Sequence, residues 1–203
     1  MSPLSIETDP EHPLWSCLQW EGVFWRKIYN PLFLKWIKVV SSASSLQEAE
    51  ALFNRLEEKL ARQFAVKALA QRALFSCELA QKLRKKGFSE QIIPITLSFF
   101  QRTGALQDED LMKLNMEKEI KKGRGFLCVQ AKWQKKGLKD LVHLGPDWDL
   151  LEQDALKKLL QRKGVIWNAL DWKEKQKVML FLKRRGFRKE TINTFFSSED
   201  HEC

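Results

Sequence analysis

Three windows of the chain share one pattern. Residues 82–90 read KLRKKGFSE, residues 132–140 KWQKKGLKD and residues 181–189 FLKRRGFRK. Each sets two basic or basic-flanked positions, a glycine and a large apolar residue in the same order. The glycines, Gly87, Gly137 and Gly186, lie 50 and 49 residues apart. A helix commonly ends on a glycine in the left-handed conformation, because glycine has no Cβ to clash there. Bases in the last turn face the negative end of the helix dipole, and the apolar residue that follows can pack back on the helix. A helix end repeated at this interval restricts the chain to a stacked array of helical units, which offers an extended curved face.

The intervening sequence supports that reading. Ser45 and Glu48 form a capping box, followed by Leu46, Ala49, Phe53, Leu56 and Leu60 at helical steps. The pattern continues through Phe64 and Leu69 and breaks at residues 72–76. Ser76 is expected to cap a second helix ending at Gly87, and Ser89 a third ending at Gly104. Pro94 removes one backbone donor, so the third helix should start late or bend. Asp108 is expected to cap a helix through Lys122, with a second over residues 126–136 and a short third element at KDLVHL (139–144). Asp147 opens a helix through Lys163, Asp171 and Glu174 repeat the capping pattern, and Arg188 to Phe196 close the array. The predicted fold is therefore all-α: units at 45–104, 105–146 and 147–203, preceded by a segment at 1–44.

That segment holds Trp15, Trp20, Trp25 and Trp36, half of the eight tryptophans. VFWRKIYNPLFLKWI is compatible with two short strands around the Tyr29–Asn30–Pro31 turn, a small β-hairpin. Its aromatics suit either a small core against the first helices or a stacking platform for bases.

The net charge of +9 is uneven: residues 1–50 carry four bases and six acids, leaving +11 on the remainder. Such an excess suits an acidic partner, nucleic acid or an assembly built on it. Cys17, Cys77, Cys128 and Cys203 form no C-x-x-C pair, and His12, His143 and His201 are dispersed, so reduced thiols are expected and no metal site. No apolar stretch is long enough to span a bilayer. The acidic start lacks the features of a secretory signal, which makes a cytoplasmic protein the expectation. No phosphate loop or nucleophile elbow appears. The Asp108-Glu109-Asp110 cluster has a structural reason at a helix start, and an enzyme is not expected.

Arg72-x-x-x-Ser76-x-Glu78-Leu79, Leu83-x-x-Lys86-Gly87-Phe88, Ile92-Ile93 and Gly104-Ala105-Leu106-x-Asp108 resemble the RecX family of bacterial regulatory proteins. Gly125, Val129, Trp133 and Lys136-Gly137 continue the pattern, and Asp171-Trp172 through Arg185-Gly186-Phe187 and Ile192 resemble its C-terminal unit. The second unit departs most: Gln107 replaces an acid and no Lys-Gly-Pro precedes Phe126. The resemblance implies a monomeric, curved, basic array lying in the groove of the RecA–single-stranded DNA filament. There it would restrain strand exchange, ATP hydrolysis and the co-protease activity behind the SOS response. No cofactor is implied.

Candidate contacts to filament or DNA are Lys85, Lys86, Lys121, Lys122, Arg124, Lys135, Lys136, Arg184 and Arg185, all of which also complement helix ends. The alternative is a sequence-independent DNA-binding repeat protein acting without RecA. Base-specific reading is not expected, because a third helix such as IIPITLSFF offers little but core.

Overall fold

The computed structural model describes residues 3–136, 138 and 147–201. They form two compact units, Met1–Asp108 and Glu109–Cys203. The Gly137 cap and the KDLVHL element fall outside the described residues.

The first unit opens with an antiparallel sheet of order β1-β2-β3: β1 Leu4–Thr8, β2 Trp15–Trp20 and β3 Val23–Tyr29. The expected hairpin is present, but its turn is Glu21-Gly22, both at positive φ (52° and 82°), rather than Tyr29–Pro31. Two consecutive left-handed residues match the twist of the flanking strands. Tyr29–Pro31 instead leads into helix: Pro31 takes an early position in α1, Asn30–Phe33, where its missing donor costs nothing. A 3-10 turn, Ile37–Ser42, follows. The register slips between Leu18 and Gln19, leaving Trp25 without a partner on β2. That bulge directs Trp25 edge-on to Trp20 and Phe53, with ring centroids 6.4 and 5.5 Å away.

Helices α2 (Leu46–Gln71), α3 (Ser76–Arg84) and α4 (Ile92–Arg102) complete the unit, and all three pack on one another. Ser45 Oγ accepts from Glu48 N, while the Glu48 carboxylate accepts from Ser44 N at 2.8 Å, one residue before the expected partner. The α3 cap is Phe75, with Glu78 reaching back to its amide at 3.2 Å. Ser76 lies one position inside the helix, and its N–H donates to Asp108 Oδ1 at 2.8 Å. Ser89 Oγ accepts from Ile92 N at 3.4 Å. Because α4 begins at Ile92, Pro94 falls within the first turn, where no intrahelical bond is lost. Phe88 is buried between Phe33 and Phe64, at centroid distances of 5.4 and 6.1 Å, so the residue after the glycine does pack back. Burial of such a ring stabilises by about 1.5–3 kcal/mol.

The second unit holds α5 (Asp108–Lys121), α6 (Phe126–Lys135), α7 (Asp147–Arg162), α8 (Trp172–Arg184) and α9 (Lys189–His201). Asp171 and Glu174 form the full capping box, at 2.7 and 3.1 Å. Met116, Val129, Leu156, Leu182, Phe187 and Ile192 are its most buried apolar residues, and Trp167 stacks on Phe196 at 3.5 Å. The repeated helix end has one hydrogen-bond signature: Phe88 N to Leu83 O, Leu138 N to Trp133 O and Phe187 N to Leu182 O, at 3.3, 3.1 and 3.2 Å.

Candidate nucleic-acid interface

The apolar stripes of α2 and α7 each carry one acid. Glu57 follows Phe53 and precedes Leu60 and Ala61 by helical steps; Glu152 stands in the same relation to Trp148, Ala155 and Leu156. Both carboxylates are 1% exposed, and a buried charge needs partners. Glu57 accepts from Ser89 N and Oγ at 2.5 and 3.0 Å, with Arg26 at 3.8 Å. Glu152 accepts from Arg188 Nε at 2.8 Å, Thr191 Oγ1 at 2.7 Å and Phe126 N at 2.8 Å. The two acids thus pin the chain just beyond the basic-Gly-Phe motifs of α3 and α8, fixing where the neighbouring bases emerge.

Two of the predicted basic clusters are brought together. Gly125 N donates to Arg185 O at 2.8 Å and Leu127 N to Gly186 O at 2.9 Å. These bonds hold the Lys121–Arg124 stretch against the Arg184–Arg185 pair. Lys121 and Arg184 are exposed; the Arg185 guanidinium lies 5.3 Å from the centre of the Phe181 ring. Lys135 and Lys136 are exposed at the end of α6, where the Lys136 amide closes the last turn.

Lys122 and Arg124 are tied down. Glu119 accepts from Lys122 at 3.1 Å and from Arg124 and Lys132 at 2.5 Å. Burial pushes the Glu119 carboxyl upward, but the hydrogen bonds from Lys132, Arg124 and Lys122 outweigh it and hold the pKa at about 2. Three cations converging on one oxyanion form a phosphate-like cradle already occupied by a side chain. Sequence reasoning missed Lys132 and Glu119 because helical periodicity does not show which of several surface acids collects the bases.

Lys85 and Lys86 belong to the first unit, beside a shallow cleft of about 380 Å³ that also takes in Arg72, Glu78 and Lys82. Lys85 is exposed. Lys86 is half-buried: its ammonium donates to Tyr29 Oη at 3.0 Å and lies 4.2 Å from the centre of that ring. Part of its charge is therefore spent on β3. Trp15 occupies the space beside Gly87, where a β-carbon would stand 2.6 Å from the indole.

Among the described residues no group of His, Cys, Asp and Glu could hold a metal ion, and no helix is long and apolar enough to cross a membrane.

Helices that end on recurrent glycine caps, with cations grouped at those ends, define a basic helical-repeat protein. Residues 61–100 match the family description "RecX, first three-helix domain" and residues 151–196 "RecX, third three-helix domain". "Regulatory protein RecX" of Pasteurella multocida is 29% identical over 146 residues, covering 68% of this chain and 87% of that protein. Its namesake in Pelodictyon phaeoclathratiforme is 31% identical over 137 residues, covering 64% and 83%. That of Vibrio vulnificus is 31% identical over 142 residues, covering 66% and 90%. Two solved structures share the fold. "Crystal structure of regulatory protein RecX" has a TM-score of 0.55 at 14% identity, covering 97% of this chain and all of that one. "Crystal structure of RecX from Lactobacillus salivarius" has a TM-score of 0.55 at 18% identity, covering 71% and 97%. The chain belongs to the RecX family of regulatory proteins.

Proposed function

We propose that this protein is a monomeric cytoplasmic regulator that binds the RecA–single-stranded DNA filament and restrains recombination, ATP hydrolysis and the co-protease activity that triggers the SOS response. Family membership supports a regulatory role. The observation that carries the reading further is the bond from Gly125 N to Arg185 O at 2.8 Å. It holds the stretch with the exposed Lys121 against the stretch with the exposed Arg184, and these two with Arg124 and Arg185 are the first proposed contacts. A nucleoprotein filament is a repeating, acidic, grooved target, and a helical repeat with clustered cations suits it electrostatically. Lys85, Lys86, Lys122, Lys135 and Lys136 are the remaining proposed contacts.

The test is the ATPase rate of RecA on single-stranded DNA as this protein is titrated in at fixed salt, with binding to naked DNA measured in parallel. A fall in rate at substoichiometric protein, with weak binding to naked DNA, supports the filament regulator. An effect only when the DNA is saturated points to simple competition, and the DNA-binding repeat acting without RecA then replaces it.

A further inference from the structure

We propose that the first unit carries a second, separate binding surface for single-stranded nucleic acid, built where α2 meets the N-terminal segment around Trp36. Its choice of ligand rests on the function proposed above.

Trp36 is half-buried at the entrance to the Ile37–Ser42 turn. Two ammonium groups reach its ring, Lys35 Nζ at 5.5 Å and Lys59 Nζ at 5.2 Å from the centroid. Arg55, Lys59 and Arg62 follow one another at helical steps of four and three residues. At 1.5 Å rise per residue, they advance about 6 and then 4.5 Å along the helix, the scale of successive phosphates on one strand. With Glu58 and Gln63 they line a shallow cleft of about 360 Å³. The Arg62 guanidinium also lies over Phe99, 4.4 Å from its centroid.

The charge here is uncompensated. Glu58, the only acid of the cleft, is paired with Arg62. Lys35, Lys38, Arg55 and Lys59 are exposed and have no carboxylate partner among the described residues. Other cations of the first unit do have such partners: Arg26 has Glu57, Lys27 has Asp9, Arg72 has Glu78 and Arg84 has Glu90. Like charges gathered on one indole repel each other, and a cation–π contact at an exposed site offsets this by only about 0.5–1 kcal/mol. A polyanion laid along the helix removes the repulsion. Cations interleaved with aromatic rings are the arrangement that binds a single strand, because phosphates take the charges and unpaired bases the rings. Apart from Arg62, Gln63 and Phe99, these residues precede residues 61–100, the stretch matching the first family domain.

The test uses the full chain and a short fluorescein-labelled oligothymidylate, titrated by anisotropy over a range of salt concentrations without RecA. Lys35→Glu with Lys59→Glu alters exposed side chains and should leave the melting temperature unchanged. It should weaken binding at least about tenfold at low salt and flatten the plot of log K against log salt by about 1.4, the share of two cations on a single strand. Trp36→Leu, which keeps the cations, should weaken binding about fivefold or more with an unchanged slope. Unaltered affinity and slope in the double variant would overturn the proposal, as would failure of the unmodified protein to bind the oligonucleotide at low salt. Equal competition by polyglutamate would reassign the surface to an acidic polypeptide. The RecA ATPase response is measured on the same variants: if it persists while the oligonucleotide result is negative, this surface is wrong and the regulatory reading stands. If the unmodified protein lacks that response but binds through Trp36, the reverse holds.

Discussion

A β-carbon on Gly125 would stand 2.3 Å from the carbonyl oxygen of Gly186. The α6 entrance and the α8 exit meet backbone to backbone, with no room for a side chain between them. The φ of Gly125 is −81°, a value any residue adopts, so proximity alone demands glycine here.

Gly125→Ala should therefore destabilise the second unit by about 2–3 kcal/mol through overpacking. At Gly164, whose φ is +65° and whose β-carbon would meet open space, alanine should cost about 1–2 kcal/mol from backbone strain alone. Thermal melts of the two variants check this; equal losses would show that the backbones separate without cost.

Glu119→Gln removes the counter-charge shared by Lys122, Arg124 and Lys132. Binding to single-stranded DNA should tighten, and the salt dependence should steepen by up to about 2 in slope. An unchanged slope would show that the three bases never reach a phosphate.

Glu119 also sets a pH dependence. Its folded pKa of about 2 lies below the ordinary 4.5, so the ionised form stabilises the fold. That contribution is complete above about pH 5 and fades as the pH falls through 4.5 toward 2. It amounts to on the order of 2–3 kcal/mol, less the screening of its exposed partners. Urea melts of the unmodified protein and Glu119→Gln should differ most at pH 7, less near pH 3, and converge only as the pH approaches 2.

Removing Glu152 strands the Arg188 guanidinium, the Thr191 hydroxyl and the Phe126 amide. Glu152→Ala should cost about 3–5 kcal/mol, far more than Asp171→Ala, which removes an exposed cap worth about 1 kcal/mol. Denaturant titration distinguishes them, and a loss at residue 152 no larger than at 171 would show that water replaces the carboxylate.

Lys135→Glu with Lys136→Glu should leave the melting temperature unchanged and weaken filament binding, flattening its salt dependence. Pull-down of the variant on RecA-coated single-stranded DNA reads the outcome; undiminished capture would leave this pair as a helix cap only.

Much of the helical pattern was legible in the sequence, because capping boxes and glycine ends are local chemistry. Asp171 with Glu174 and the bond from Phe187 N to Leu182 O follow from residues close together in the chain. Contacts between distant stretches were less legible. Nothing near Gly125 announces Gly186, and the aromatic run after Tyr29 turned to helix because Pro31 suits a first turn better than a strand. Of the candidate site, the exposure of Lys85, Lys121, Lys135 and Arg184 matched the helix-end expectation. The diversion of Lys86 to Tyr29 and of Arg124 to Glu119 depends on tertiary neighbours. Glu57 and Glu152 left a usable trace, an acid on a stripe otherwise apolar.

The amides of Gly125, Phe126 and Leu127 are all satisfied by atoms that lie later in the chain, on Arg185, Glu152 and Gly186. A ribosome that has finished α6 at Lys135 has made a helix whose entrance is not fully answered until Gly186, about fifty residues further on, has emerged. The middle of this protein is thus completed from its end. A nonsense codon beyond α6 would leave a middle repeat with bare donors, so such an array can shed its last repeat only by rebuilding the one before it.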